Sequence, residues 1–423
     1  MLAKLHSELP EVAPEVSVEI VRLLSLRHVR SACEWFRVHE SHLCDWQFEL
    51  AKIPAAPFGE SARAEWLTHR FRELGLDDVH TDEVGNVLGL RPGSSEQCIT
   101  ISAHIDTVFP AGTPLNVRKE GSLLYGPGVS DNGAGVTALL GIAGALQSTG
   151  IPTQSSILFV GNVGEEGEGD LRGMRHIFSG SPRKDSIAYS LIIDGAGCDT
   201  IVSEALGSRR FEVIVRGPGG HSWSDFGIAN PIPVLARAIH LFTQISVPAS
   251  PKTTFNIGVI RGGTSVNSIP ESASMRVDIR SSSASEMEKL EAALRDSIAR
   301  AVDEECQIVE KRGSQQKPPY GLSFEVVGIG DRPAGDLDPN ARILHVIRAV
   351  DAELGNVATT QRASTDANIP LSLGREAIAI GGGGSGGGAH TLQEWFDCNG
   401  REVGLKRIML ALLALAGVGL DRT

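Results

Sequence analysis

Two imidazoles and a set of carboxylates stand at the ends of short apolar runs. His104 and Asp106 lie in SAHIDT, Asp131 in GVSDNGAG, Glu165 and Glu166 in NVGEEGEG, and Asp194 in LIIDGAG. His390 comes far downstream, in GGGGSGGGAHTLQEW. Imidazole mixed with carboxylate is ligand chemistry for zinc or a similar borderline divalent ion. Two such ions held by a shared carboxylate activate water and polarise a carbonyl, so these residue types point to hydrolysis.

The elements that must position them follow an alternating α/β pattern. CITISA (98–103) reads as a strand that delivers His104 at its end. GAGVTALLGIAGAL (133–146) reads as a helix of small residues, with Asp131 just before it. SSILFVGN (155–162) is a strand leading to Glu165, and SLIID (190–194) is another that ends at Asp194. Open α/β sheets bind ligands beyond the carboxyl ends of their strands, where these acids and His104 fall. Residues 15–50 have the apolar spacing of a helix, with Val18, Val21, Leu24 and Val29 as its apolar positions. Residues 60–75 give a second helix, stopped by Gly75. The glycines of 381–388 read as backbone that passes close to its surroundings just before His390.

Around residue 206 the pattern changes. Strands are expected at 211–217, 253–260, 272–280 and near 306–311, with helices at 231–242 and 285–305. This β-α-β-β-α-β order is that of a ferredoxin-like module. The polar stretch KRGSQQKPPYG (311–321) then links back, and a helix at 340–354, a strand at 377–380 and a terminal helix complete the first domain. The expected fold is therefore α/β, a mixed sheet flanked by helices with an inserted ferredoxin-like α+β domain. Residues 1–206 and 323–423 form the first, discontinuous domain and residues 207–322 the insertion.

Composition narrows the partners. The chain has 423 residues, 41% hydrophobic and 21% charged, with 39 basic and 51 acidic residues and a formal net charge of -12. No long basic run offsets the excess acid, so nucleic acid is not the expected partner. The N-terminus lacks a basic segment followed by an apolar run, and IMLALLALAGVGL near the C-terminus is too short to span a bilayer. A cytoplasmic protein without membrane contact is expected. The six cysteines (33, 44, 98, 198, 306, 398) show no metal-finger spacing and read as buried free thiols. His6, His28, His39 and His42 read as surface histidines.

The ordered set H-x-D, D-N-G-x-G, G-E-E, strand-ending Asp and late His resembles the di-zinc exopeptidase and deacylase family. That family includes carboxypeptidase G, peptidase T, aminoacylase, acetylornithine deacetylase and succinyl-diaminopimelate desuccinylase. The resemblance covers roughly residues 50–420 and implies a zinc-exopeptidase-like fold whose insertion acts as lid and dimerisation domain. It implies two Zn2+, with Co2+ or Mn2+ as possible substitutes, bridged by Asp131. His104 and Asp194 complete one site, and Glu166 and His390 the other. Asp106 orients the His104 imidazole, and Glu165 is the general base that works on zinc-activated water. A cis peptide between Asp131 and Asn132 is implied as well. In the insertion, His221 of GPGGHSW matches a histidine that stabilises the oxyanion across a homodimer interface. Asn267 in GGTSVNSIP and Arg280 in VDIR match positions that contact substrate, for which a guanidinium facing a carboxylate is apt.

The implied reaction is amide hydrolysis. In the family this ligand is typically Asp in the peptidase branches, Glu in the deacylases and His in the carbamoyl-amidohydrolases, so Asp194 leans toward a peptidase: a di- or tripeptidase, aminopeptidase or carboxypeptidase. An N-acyl-amino-acid amidohydrolase is the alternative. A noncatalytic metal-binding scaffold is the alternative of another class. The segment STDAN (364–368) reads equally as a substrate-contacting segment and as a helix N-cap by Thr365 or Asp366.

Overall fold

The computed structural model describes residues 12–313 and 319–419, which leaves His6 and part of the 311–321 stretch outside the described residues. Two compact units emerge, Met1–Ala205 with Asp336–Thr423, and Leu206–Gly335.

In the first unit a nine-stranded mixed sheet runs through the core. At its centre Cys98–His104 pairs in parallel with Ser156–Asn162 on one side and with Ile187–Ile193 on the other. Glu376–Ile380 extends the parallel run beside Ile187–Ile193; on the other flank Val87–Arg91 pairs antiparallel with Ser156–Asn162, and Asp77–Thr81 forms the edge outside it. Every residue of Cys98–His104 and of Ser156–Asn162 is buried. That explains why these strands read as continuous apolar runs rather than as alternating ones.

The helix Gly133–Thr149 begins at Asn132, whose side chain accepts from the Gly135 N–H at 3.0 Å, and ends at Gly150 in the left-handed conformation with φ 63°. It is buried from Gly133 through Leu146, which suits a helix that is apolar all round. Its small residues let partners approach: a Cβ at Gly144 would stand 2.7 Å from the Trp35 ring. The final helix, Arg401–Ala416, is likewise buried along most of its length. No helix among the described residues is long and apolar enough to cross a membrane.

The N-terminal segment departs from the expected single helix. Pro14–Ser25 and Arg27–Ala51 are separate helices, with Leu26 extended between them. The stripe that packs in the first is Val16, Ile20 and Leu23, while Val18 and Val21 are exposed. Of the other expected positions, Leu24 packs against the core and Val29 is buried in it on the second helix.

The second unit is a four-stranded antiparallel sheet. Its order is Thr253–Gly262, Ser272–Ser281, Gly207–Arg216 and Ser323–Arg332. Pro231–Thr243 and Ala284–Lys311 pack their apolar faces on it around Val213, Val215, Met275, Val277, Leu235 and Leu294. The strand expected near 306–311 is instead the last turns of the helix Ala284–Lys311, because Val309 continues its buried face. The fourth strand is Ser323–Arg332. The chain therefore crosses back to the first unit after Gly335 rather than at 322.

Candidate metal centre

The sequence-predicted donors of the first unit converge where the strands end. His104 closes its strand, and Asp194 follows Ile193, its N–H donating to the Ile380 carbonyl at 2.9 Å. Asp131 sits between them. The His104 Nε2 lies 3.1 Å from Asp131 Oδ1 and 3.7 Å from Asp194 Oδ1. The His390 Nε2 lies 3.1 Å from Asp131 Oδ2 and 3.1 Å from Glu166 Oε1. Asp131 thus offers one oxygen to each imidazole. His104, Asp131 and Asp194 form one group of three donor atoms within 4.8 Å of one another, and Asp131, Glu166 and His390 form another. Glu165 brings a carboxylate oxygen within the same 4.8 Å of His104 and Glu166.

Two donor sets of imidazole nitrogen and carboxylate oxygen, joined at one bidentate acid, fit a pair of borderline divalent cations. The electrostatics agree. Burial alone would lower the His104 imidazole, but Asp106, Asp131 and Asp194 outweigh it and hold its pKa well above the ordinary value. The Asp131 hydrogen bond carries His390 up to about 9 against burial, with Glu166 adding to the rise. Burial would raise Asp131, yet the hydrogen bonds from both imidazoles hold it well below the usual carboxylate range. Burial pushes Glu166 up to about 7. A pocket that crowds carboxylates away from water favours positive charge at its centre, whether as protons on imidazole or as bound cations.

The supporting shell is built from backbone as much as from side chains. His104 Nδ1 lies 3.1 Å from the Asp106 carbonyl oxygen, so the ring can donate there and leave Nε2 facing the acids. The Asp106 carboxylate is farther from that ring nitrogen, at 3.6 Å. Its two oxygens accept instead from the Glu165 N–H at 3.1 Å and the Glu166 N–H at 2.8 Å, which aims both glutamates. Asn132 spans the helix start and the neighbouring strand end, accepting from Gly195 N–H at 3.0 Å and donating to the Ile193 carbonyl at 2.9 Å. The Asp131–Asn132 peptide is cis.

Two features of this shell, Glu394 and Arg63, escaped the reading of the sequence. Glu394 is fully buried and accepts from the N–H groups of Gly128, Ser130 and Asp131, each at 2.7 Å. It fixes the loop that carries the shared acid. A short antiparallel sheet brings it there: Trp395–Asp397 pairs with Leu123–Tyr125 on one side and with Ser385–Gly387 on the other. The spacing of four from His390 was the one available signal. The glycines before His390 fill close approaches: at Gly383, with φ 85°, a Cβ would stand 2.6 Å from the Arg401 carbonyl oxygen. Arg63, also buried, donates to the carbonyls of Ile53 at 2.8 Å and Ile105 at 3.0 Å. Asp366 is fully buried and accepts from Asn162 Nδ2 at 2.6 Å; burial raises it to about 7. At the start of the helix Asn368–Ser372 the Thr365 hydroxyl accepts from the N–H of the N-cap residue Ala367 at 3.2 Å.

The remaining site residues lie in the second unit. His221 is exposed; its Nδ1 accepts from the Trp223 N–H at 3.2 Å, which leaves the ring proton on Nε2. Asn267 stands on the adjoining loop, its carbonyl accepting from Ser222 N–H at 2.9 Å and its Oδ1 from Ser265 Oγ at 2.6 Å. Arg280 is apart from both. It lies near the opposite end of Ser272–Ser281, donating to Asp278 Oδ2 at 2.7 Å. At ~3.3 Å per residue the strand separates it from the Asn267 loop by roughly 25 Å.

A parallel α/β core with paired acid–imidazole donor sets at its strand ends defines a fold and site type shared with known proteins. The sequence model of Peptidase family M20/M25/M40 matches residues 100–414, and the chain belongs to that family. A probable carboxypeptidase of Ajellomyces dermatitidis is 34% identical over 226 residues, 48% of this chain and 50% of that protein. The chain thus spans about half the length of that relative. A probable carboxypeptidase of Ajellomyces capsulatus is 30% identical over 322 residues, 69% of this chain and 72% of that protein. The solved structure of aminopeptidase PepT from Bacillus cereus shares the fold, with a TM-score of 0.69 at 19% identity over 89% of this chain and 99% of that one.

Proposed function

We propose that the protein is a two-metal exopeptidase of the carboxypeptidase kind, hydrolysing the amide bond beside a free carboxylate in short peptides. The observation that carries this is the pair of donor sets meeting at Asp131, with Glu165 beside them. The curated relatives are probable carboxypeptidases, which favours a free C-terminus over a free N-terminus as the group that is read. N-acyl amino acids present the same amide and carboxylate and fall within the same reading.

Divalent ions, zinc first among them, supply Lewis acidity toward the carbonyl and a lowered pKa for water when bound. His104 and Asp194 would hold one, Glu166 and His390 the other, and Asp131 both. The Glu165 carboxylate takes a proton from the attacking water and passes it to the departing nitrogen. Asp106 keeps Glu165 and Glu166 aimed through their N–H groups. His221 Nε2–H is the donor for the developing oxyanion. Arg280 pairs with the substrate carboxylate, as a planar fork can. The strand-length gap between His221 and Arg280 supports a homodimer. One small amide takes Arg280 from its own chain and His221, with Asn267, from the partner subunit.

Hydrolysis of one short peptide, beside its N-acetylated and C-amidated forms, by zinc-loaded protein tests the reading. Cleavage of the first two and not of the amide is expected. Cleavage only of forms with a free amine would overturn the carboxypeptidase assignment in favour of an aminopeptidase.

A further inference from the structure

Away from the metal donors, two thiols from opposite ends of the chain meet. Cys44 lies on the helix Arg27–Ala51 and Cys398 just after the strand Trp395–Asp397, 354 positions away. Their sulfurs are 2.9 Å apart. That is closer than the ~3.5–4.0 Å of ordinary carbon contacts, although sulfur is the larger atom. A disulfide bond needs ~2.05 Å, so closure asks for less than an ångström of approach. Both side chains are buried in a small apolar cluster with Leu124, Val129, Ala134 and Phe396.

Two cations are placed for this pair. Arg401 Nη2 donates to Cys398 Sγ at 3.1 Å. Lys119 is held beside the Cys44 turn by Asp45 at 2.7 Å. The hydrogen bond from Cys398 lowers the Cys44 thiol against burial, and Lys119 and Arg401 lower it further. Burial raises the thiols of Cys33, Cys98, Cys198 and Cys306. One pair thus combines an activated sulfur with a second sulfur in reach, the arrangement of a redox-responsive couple.

We propose that Cys44 and Cys398 form an oxidisable pair, converted by a peroxide into a disulfide that ties the segment carrying Glu394 and His390 to the helix Arg27–Ala51. The Cys44 thiolate attacks one peroxide oxygen, and the O–O bond breaks. The other oxygen leaves with the thiol proton as water, and Cys44 becomes a sulfenic acid. Cys398 then attacks the Cys44 sulfur; the S–O bond breaks and the hydroxyl departs with the Cys398 proton as a second water. Two thiols are oxidised and one peroxide is reduced. Because Cys398 follows Glu394 by four residues, the bond anchors the segment whose Glu394 carboxylate grips Gly128, Ser130 and Asp131.

The test is native full-chain protein treated with hydrogen peroxide, alkylated and mapped without reduction by peptide mass spectrometry. A linked peptide pair containing Cys44 and Cys398, lighter by two hydrogens, is expected in the wild type and absent in Cys44→Ser. Oxidation should raise the wild-type Tm by on the order of 5 °C, reversibly with a thiol reductant, and leave that of Cys44→Ser unmoved. Oxygen added to Cys33 or Cys306 with Cys44 and Cys398 left as separate thiols would overturn the proposal. So would a Cys44–Cys398 link that forms only in denaturant.

Discussion

The strand ends of the first unit and the loops of the second present their chemistry in opposite ways. At the strand ends the donors are crowded and braced. His104, Asp106, Glu165 and Glu166 are buried, and Glu394 and Asp106 together accept five backbone N–H groups around them. On the second unit His221 lies in an exposed loop, with Trp223 at 87% exposure two residues on and Val266 fully exposed on the facing loop. A buried acid cluster must be over-determined, because each misplaced carboxylate loses its compensation in a poorly solvated site. An exposed group needs less bracing: His221 is held by one bond, from the Trp223 N–H to Nδ1, which leaves the ring proton on Nε2. The first region gathers its candidate metal donors within one chain. On the proposed reading, the second meets its substrate only when a partner subunit packs against it.

Breaking the first region should do the most. Glu165→Ala is expected to lower turnover by about 10²–10⁴-fold with both metals retained, since it removes a proton carrier and none of the five proposed ligands. Metal analysis beside kinetics checks this, and loss of metal with the activity would make Glu165 a ligand instead. His221→Ala follows, with an expected ~10²–10³-fold loss in kcat, little change in KM and full metal content. Mixing the two variants sharpens the comparison. If His221 acts from the partner subunit, hybrid dimers of Glu165→Ala and His221→Ala carry one intact centre, and activity returns on mixing. Activity that stays at the level of the separate variants, with hybrids demonstrably formed, would place His221 outside the partner's reaction.

The same contrast explains what was readable in the sequence. The convergence of these side chains was legible because strands deliver side chains to one edge of a sheet, as for His104, and because Asp131, Glu166, Asp194 and His390 stand in glycine-rich local motifs. Glu394 was not, because its work is on backbone N–H groups more than 260 positions away, which leaves no local pattern. Arg63 was hidden for another reason: an arginine on an amphipathic helix ordinarily faces water, and here the Ile53 and Ile105 carbonyls and the nearby Asp106 and Glu394 carboxylates make its burial tolerable. The helix Ala284–Lys311 overran its expected end because Val309, in a short apolar run, serves a helix face as well as a strand.

Glu394→Gln probes the bracing itself. The amide keeps one acceptor oxygen but turns the other into a donor, which then faces an N–H that it cannot satisfy. Metal affinity is expected to fall about 10–100-fold, as for other groups that hold ligands rather than metal. Kinetics at saturating metal should approach those of the wild type. Titration with a competing chelator measures the first effect. Unchanged affinity would mean that the loop at 128–131 holds its shape without the carboxylate.

Arg280 gives the smallest effect and the finest distinction. In this structure its guanidinium donates to Asp278, and Arg210 shares that carboxylate from the neighbouring strand at 3.3 Å. A purely structural arginine would show its loss in stability, with rates preserved. An arginine that reads a substrate carboxylate would show it in KM, by about 10-fold, the lower range for a hydrogen bond to a charged group. The C-amidated peptide supplies the control, because it lacks the group to be read and should stay uncleaved by the wild type and by Arg280→Ala alike. Arg280→Lys then separates charge from shape. A point charge on a flexible stem would restore part of the KM and none of the two-point grip. Equal KM for Arg280, lysine and alanine, alongside a lowered Tm, would return Arg280 to Asp278 and the sheet and leave the carboxylate to be read elsewhere.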